Sequence, residues 1–217
     1  MSKDLDNLFN LQGKVIVITG ATGLLGRNHA EAIAAYGGNP ILLDLSLEKV
    51  ETLAKELNER FNIDAKGFSV DITNESQVEE NAKLIVNLYG RIDGLVNNAA
   101  NNPKVEENSI SNFSRLENFP LNSWNDDLNV GLTGSFLCSK HYGYQISKNP
   151  NGGSIVNISS DLGLIAPDQR LYASDDVAKN EQDTKPVSYS VVKAGLIGLT
   201  RYLATYWTEE NVRCNAI

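Results

Sequence analysis

Apolar residues along the chain fall into short, largely β-branched runs, separated by longer stretches in which they recur every three or four positions. Residues 14–20, KVIVITG, form one such run and end on glycine, which predicts a buried strand. Residues 24–38 carry helical periodicity and stop at Gly37 and Gly38, a C-terminal helix signal. PILLDL, at 40–45, predicts a second buried strand. The helix over 46–62 takes Ser46 as its N-cap and places Lys and Arg towards its end. A third strand over 66–73 leads into an amphipathic helix over 74–90 that Gly90 closes. A fourth strand over 92–100, a long helix over 124–147 and a fifth strand over 152–160 follow. A helix over 188–207 and the start of a sixth strand at 212–217 complete the pattern.

Strands alternating with helices predict a parallel sheet covered on both faces, and right-handed crossovers then fix a doubly wound α/β fold of Rossmann type. One domain over 13–217 behind an extension over 1–12 accounts for the whole pattern. Two stretches resist it, 101–123 and 161–187, both polar and longer than ordinary loops. Both follow the C-terminal ends of strands, where such folds bind ligands, which marks them as substrate loops. The chain is expected to be truncated, since VRCNAI stops inside the sixth strand.

Composition narrows the functional classes. A net charge of −8 over 217 residues argues against a nucleic-acid footprint, which needs a basic face. No run of 18 apolar residues exists to span a membrane, and the opening MSKDLDNLFNLQGK lacks a signal-peptide core. A cytoplasmic protein is the expectation. Cys138 and Cys214 make no disulfide framework, and His29 and His141 have no third ligand at metal spacing, so no metal is expected. Cys138, Trp124 and Trp207 read as packing residues.

TGATGLLG, at 19–26, puts Gly20, Gly23 and Gly26 between the first strand and the first helix. There a missing side chain lets the backbone approach a pyrophosphate, and the helix N-terminus supplies N–H donors and positive potential. Asp44, ending the second strand, would accept hydrogen bonds from the adenosine ribose hydroxyls and repel a 2′-phosphate. No basic residue follows it immediately, so NAD is expected over NADP. The competing reading makes Asp44 a cap on the glycine loop.

With TGATGLLG, DIT at 71–73, NNAA at 97–100, NISS at 157–160 and YSVVK at 189–193 in that order, the chain resembles a short-chain dehydrogenase/reductase from Gly13 to Ile217. The resemblance implies a cofactor site built from Gly20, Thr22, Gly23, Leu25, Gly26, Asp44, Asp71, Ile72, Asn97 and Ala99. It implies a catalytic trio of Ser160, Tyr189 and Lys193, of which Tyr189 and Lys193 also reach the nicotinamide ribose. Chemistry supports the trio. Tyr189 and Lys193 stand four positions apart, on one helix face. A phenol is a poor base at neutral pH, and an ammonium group with a positive nicotinamide nearby favours phenolate. It can then take a proton from an alcohol as hydride leaves, or return one to a carbonyl.

Four features depart from the family pattern. Leu24 stands where the middle glycine of TGxxxGxG belongs, and Gly23 carries it instead, as in the extended branch that handles nucleotide sugars. NNAG is here NNAA. Gly131 occupies the place of the family's helix asparagine, while Asn129, two residues earlier, points about 200° away on a regular helix. Ser160 and Tyr189 are 29 apart (189 − 160), a longer gap than most of the family has, and the insert is polar. Gln169, Arg170 and Lys104 are candidates to meet a substrate hydroxyl or phosphate. A polar, sugar-like small molecule therefore fits, and the chain resembles sugar-pathway members of bacterial surface-glycan or flagellin modification. The resemblance also implies a homodimer or homotetramer paired through the helices at 124–147 and 188–207. An idle NAD-binding protein and a sugar-nucleotide epimerase or dehydratase stay open as alternatives.

Overall fold

A computed structural model describes residues 9–101 and 113–217. Six parallel strands form one sheet, in the order β3-β2-β1-β4-β5-β6. They are β1 (Val15–Thr19), β2 (Asn39–Asp44), β3 (Lys66–Ser69), β4 (Gly94–Asn97), β5 (Gly153–Asn157) and β6 (Val212–Ala216). The order reverses between β1 and β4, so the crevice at their C-terminal ends is the switch point where such sheets bind ligands. β6 pairs with β5 at every residue of β5, from Gly153↔Val212 to Asn157↔Ala216. The sixth strand is thus as long as its neighbour.

The strands are apolar without interruption because both faces of the sheet are covered. Val15 and Val17 of β1 join a core with α3 (Glu75–Tyr89), α5 (Gly134–Ser147) and α6 (Val187–Tyr206). Ile18 points to the other face, where α1 (Leu24–Ala35) and α2 (Leu47–Phe61) bury Ala30, Ile33, Val50, Leu53 and Leu57. Each such fully buried aliphatic side chain stabilises the fold by about 1.5–3 kcal/mol. Cys138 and Trp207 lie in the first core, as packing residues. Asp93 is a buried carboxylate that ties β1 to β4, accepting from the Val15 N–H and from Lys14 Nζ.

Local signals account for the helix ends. Ser46 caps α2 by accepting from the Lys49 N–H, and Asn74 caps α3 by accepting from the Gln77 N–H. Gly90 closes α3 with φ of +77°, a backbone conformation that favours glycine. The expected long helix over 124–147 starts earlier and is broken. α4 (Leu121–Leu128) passes into a π turn over Asn129–Thr133 before α5 resumes. The third strand ends at Ser69 rather than 73, and β4 spans only Gly94–Asn97 of the expected 92–100. In both cases the chain leaves the sheet at its C-terminal edge, and the residues released are those that line a groove there.

Candidate active site

At the end of β1 the backbone turns through Gly20, whose φ is +62°. A Cβ on Gly20 would lie 2.9 Å from Ala99 Cα, and one on Gly26 would lie 2.1 Å from the Gly20 carbonyl oxygen. No side chain fits at Gly26, so α1 packs hard against the turn and aims its N-terminus across it. The paired asparagines divide their work. Asn97 is buried and donates to Asn157 Oδ1 (2.8 Å) and Ser139 Oγ (3.1 Å), tying β4 to β5 and α5. Asn98 donates from Nδ2 to the carbonyls of Thr19 and Gly20, while Thr19 Oγ1 accepts from the N–H groups of Asn98 and Ala99.

These ties frame a groove of ≈ 610 Å³ along the strand ends. Of the expected cofactor residues, Gly20, Thr22, Gly23, Leu25, Asp44, Asp71, Ile72 and Ala99 line it. Gly26 and Asn97 do not; they lie beneath it, one permitting the close helix and the other holding the central strands. Asp44 does bond the loop, accepting from the Thr22 N–H (2.9 Å) and Thr22 Oγ1 (2.6 Å) on Oδ2 and from the Leu45 N–H on Oδ1 (2.8 Å). A carboxylate has about four lone-pair sites. Three bonds leave one, on Oδ1, for a ribose hydroxyl. The glycine cradle that any Cβ would fill, the open helix end and the acidic strand end together fit a dinucleotide. The sequence argument overlooked a charged residue here: Lys49, in the first turn of α2, lines the same groove as Asp44.

A second cavity, of ≈ 270 Å³, opens beside the groove, and Ala100 and Asn101 line both. Tyr189 and Lys193, from the first two turns of α6, stand in its wall. Lys193 is buried, and its Nζ donates to the Ile158 carbonyl (2.6 Å), leaving two N–H donors for other partners. Nζ lies 5.5 Å from the centroid of the Tyr189 ring. Burial, and then the positive charge of Lys185, holds the Lys193 ammonium below its ordinary range. Ser159 donates to the Lys193 carbonyl (2.9 Å) and so fastens α6 to the end of β5. Ser160 is not in the lining of this cavity. Its hydroxyl donates to Asp161 Oδ1 (2.8 Å) and accepts from the Leu162 N–H, capping a short 3₁₀ turn over Asp161–Gly163.

The π turn settles where the helix asparagine could stand. Gly131 is buried in the cavity wall, and a Cβ there would come within 2.5 Å of Val192 Cγ1. Asn129 is exposed and lines neither cavity. Asp127, one turn before Gly131 on the same helix face, does line the cavity, held by Asn101 Nδ2 (2.9 Å) and by a very short bond from Ser188 Oγ. Arg170 turns back on Asp168 with two bonds of 2.6 and 2.9 Å, and Gln169 accepts from the Lys185 N–H, so neither lines this cavity. Lys104 lies outside the described residues.

The family model described as enoyl-(acyl carrier protein) reductase matches residues 20–217. The chain is 32% identical over 207 residues to the 3-oxoacyl-[acyl-carrier-protein] reductase of Aquifex aeolicus, covering 95% of this chain and 73% of that one. It is 30% identical over 217 residues to the D-threitol dehydrogenase of Mycolicibacterium smegmatis, covering 100% and 72%. The NAD-dependent glycerol dehydrogenase of Listeria innocua is 30% identical over 215 residues, covering 99% and 73%. The crystal structure of NAD+-bound xylitol dehydrogenase superposes with a TM-score of 0.79 at 27% identity, covering 95% of this chain and 69% of that one. The chain belongs to the short-chain dehydrogenase/reductase family.

This short-chain dehydrogenase/reductase is therefore an NAD(P)-dependent oxidoreductase. Asp127, Ser188 and Lys185 of its cavity were not among the site residues read from the sequence. Asp127 carried a usable signal, since it precedes Gly131 by four positions and so shares its face. Lys185 lay within the 161–187 stretch read as a substrate loop and Ser188 next to Tyr189, but only the packing of α4 on α6 and the fold of the loop before α6 show that their side chains reach the cavity.

Proposed function

We propose that this dehydrogenase uses NAD to interconvert a secondary alcohol and a ketone on a small, polyhydroxylated, sugar-like substrate. The shared wall carries the reading: the Tyr189–Lys193 cavity opens against the dinucleotide groove through Ala100 and Asn101. A substrate beside Tyr189 would then face the nicotinamide end of a cofactor in the groove. The threitol, glycerol and xylitol dehydrogenases among the relatives support a polyol-like substrate, and two of these three name NAD. Sugar pathways of surface-glycan or flagellin modification handle substrates of that kind.

When bound, NAD accepts the carbinol hydrogen with its electron pair. The chain's own residues do the rest. Asp44 receives the adenosine ribose, and the turn at Gly20 and Gly23 receives the pyrophosphate against the N-terminus of α1. Lys193 offers its two free N–H donors to the nicotinamide ribose and keeps positive charge beside Tyr189. Tyr189 takes the hydroxyl proton, or gives it back in reduction. In this reading Ser160 exchanges its bond to Asp161 for one to the substrate oxygen. Asp127, with two bonds made, keeps acceptor capacity for a further substrate hydroxyl. In this reading the protein assembles as a homodimer or homotetramer.

Steady-state oxidation of a polyol panel tests the proposal. Tyr189→Phe removes the proton acceptor and keeps the ring, so kcat should fall by about 10²–10⁴, while calorimetry still detects NAD binding. Unchanged turnover in that variant would overturn the assignment of Tyr189.

A further inference from the structure

The cavity next to Tyr189 holds two carboxylates and two ammonium groups, and their partners differ. Asp127 accepts from Asn101 and Ser188, and Asp183 accepts from Ser114 Oγ (3.3 Å). Lys193 donates to the Ile158 carbonyl. Lys185 is different. Its Nζ sits over the face of the Tyr189 ring, 3.8 Å from the centroid, and among the described residues it makes no ion pair. A lysine ammonium carries three N–H donors, and a ring face satisfies none of them fully. Asp183, two residues before it, also lines the cavity, but the two form no salt bridge.

The position of this ammonium is built rather than accidental. The Lys185 N–H donates to Gln169 Oε1 (2.9 Å), which anchors the backbone to the neighbouring 3₁₀ turn. Pro186 follows and opens α6, whose first turn has no acidic residue and whose cap makes no side-chain bond. The side chain is only half-exposed, and it stands close enough to Lys193 to oppose that group's charge. A cation without an ion pair among the described residues, a ring face and a cavity therefore coincide at the proposed reacting centre.

Building on the proposed oxidoreductase reading, we propose that the substrate carries a carboxylate and that Lys185 binds it, making the substrate a small polyhydroxy acid rather than a neutral polyol. An anion in this cavity would pair with the Lys185 ammonium, which lacks an acceptor among the described residues, and Asp127 would take a hydroxyl further along the same molecule. The cavity of ≈ 270 Å³ lies at the small end of ligand pockets, which run from roughly 300 Å³ upward, so a short-chain acid suits it.

The test is oxidation of matched pairs with NAD and with NADP: glycerate against glycerol, xylonate against xylitol, mannonate against mannitol. Wild-type protein should oxidise at least one acid with kcat/KM ten or more times that of its alditol. Lys185→Met should collapse that ratio at least tenfold, through the KM of the acid, and Lys185→Arg should retain most of it. Calorimetric cofactor binding shows that each variant is folded, and the wild-type preference stands as a test without any variant. Alditols oxidised as well as or better than their acids would overturn this inference alone. An equal drop in kcat on both substrates in Lys185→Met would also overturn it, making Lys185 a residue that acts through Tyr189. No oxidation of either series by protein that binds NAD would sink the broader reading and this one with it.

Discussion

In the proposed function single side chains carry two tasks at once, and Asp44 is the clearest case. Its Oδ2 is committed to Thr22, while Oδ1 keeps one site for a ribose hydroxyl. Structural and ligand-binding readings of Asp44 are therefore compatible, and two substitutions separate them. Asp44→Ala removes the negative charge that opposes a 2′-phosphate and leaves Lys49 in the groove. Calorimetry should show NAD binding about tenfold weaker, ~1.4 kcal/mol, with NADP binding tightened. Thr22→Val loosens the loop but keeps the carboxylate, so both cofactors should weaken alike. An Asp44→Ala protein that still prefers NAD would place selectivity elsewhere. Ser160 and Asn97 stand at their family positions with structural ties of their own: the Ser160 hydroxyl is engaged with its own loop, and Asn97, buried under the groove, supports the central strands.

At the scale of elements, the alternation of apolar runs and helical periodicity located all six strands and the α-helices, with α4 and α5 read as one, because covered parallel strands and amphipathic helices impose those patterns. It did not locate the π turn at Asn129–Thr133. A single inserted residue changes one hydrogen-bond register and leaves the apolar period nearly intact. That turn nonetheless decides which residues of the α4–α5 segment face the cavity, and it brings Gly131 against Val192. Gly131→Asn, which restores the family residue, should therefore destabilise the protein by about 1–3 kcal/mol through overpacking, measured by urea unfolding. Adding Val192→Ala should recover part of the loss. A Gly131→Asn protein of full stability and higher turnover would mean that the wall yields without cost.

For the whole molecule, the sheet order fixes where chemistry can occur, since groove and cavity both lie at the C-terminal edge beside the β1–β4 reversal. Assembly is a separate matter. Tyr202 and Tyr206 of α6 stack at 5.4 Å between centroids and remain 61% and 59% exposed, a large apolar surface for one helix. The proposed homo-oligomer would cover it. Light scattering should give a mass of two or four chains, and Tyr202→Glu with Tyr206→Glu should reduce it to one. A monomeric wild type at micromolar concentration would end that proposal.

The sequence by itself determined the doubly wound sheet, the glycine cradle and the Tyr189–Lys193 pair. Each of these depends on local periodicity, on a missing side chain, or on a four-residue spacing along one helix. The three-dimensional packing alone shows that Lys49 shares a groove with Asp44, that a side chain at Gly131 would press on Val192, and that Lys185 lies over the Tyr189 ring. The Gly131–Val192 contact joins segments distant in the chain, and the other two cross the non-helical entries to α2 and α6, so none of the three leaves a periodic mark in the order of residues.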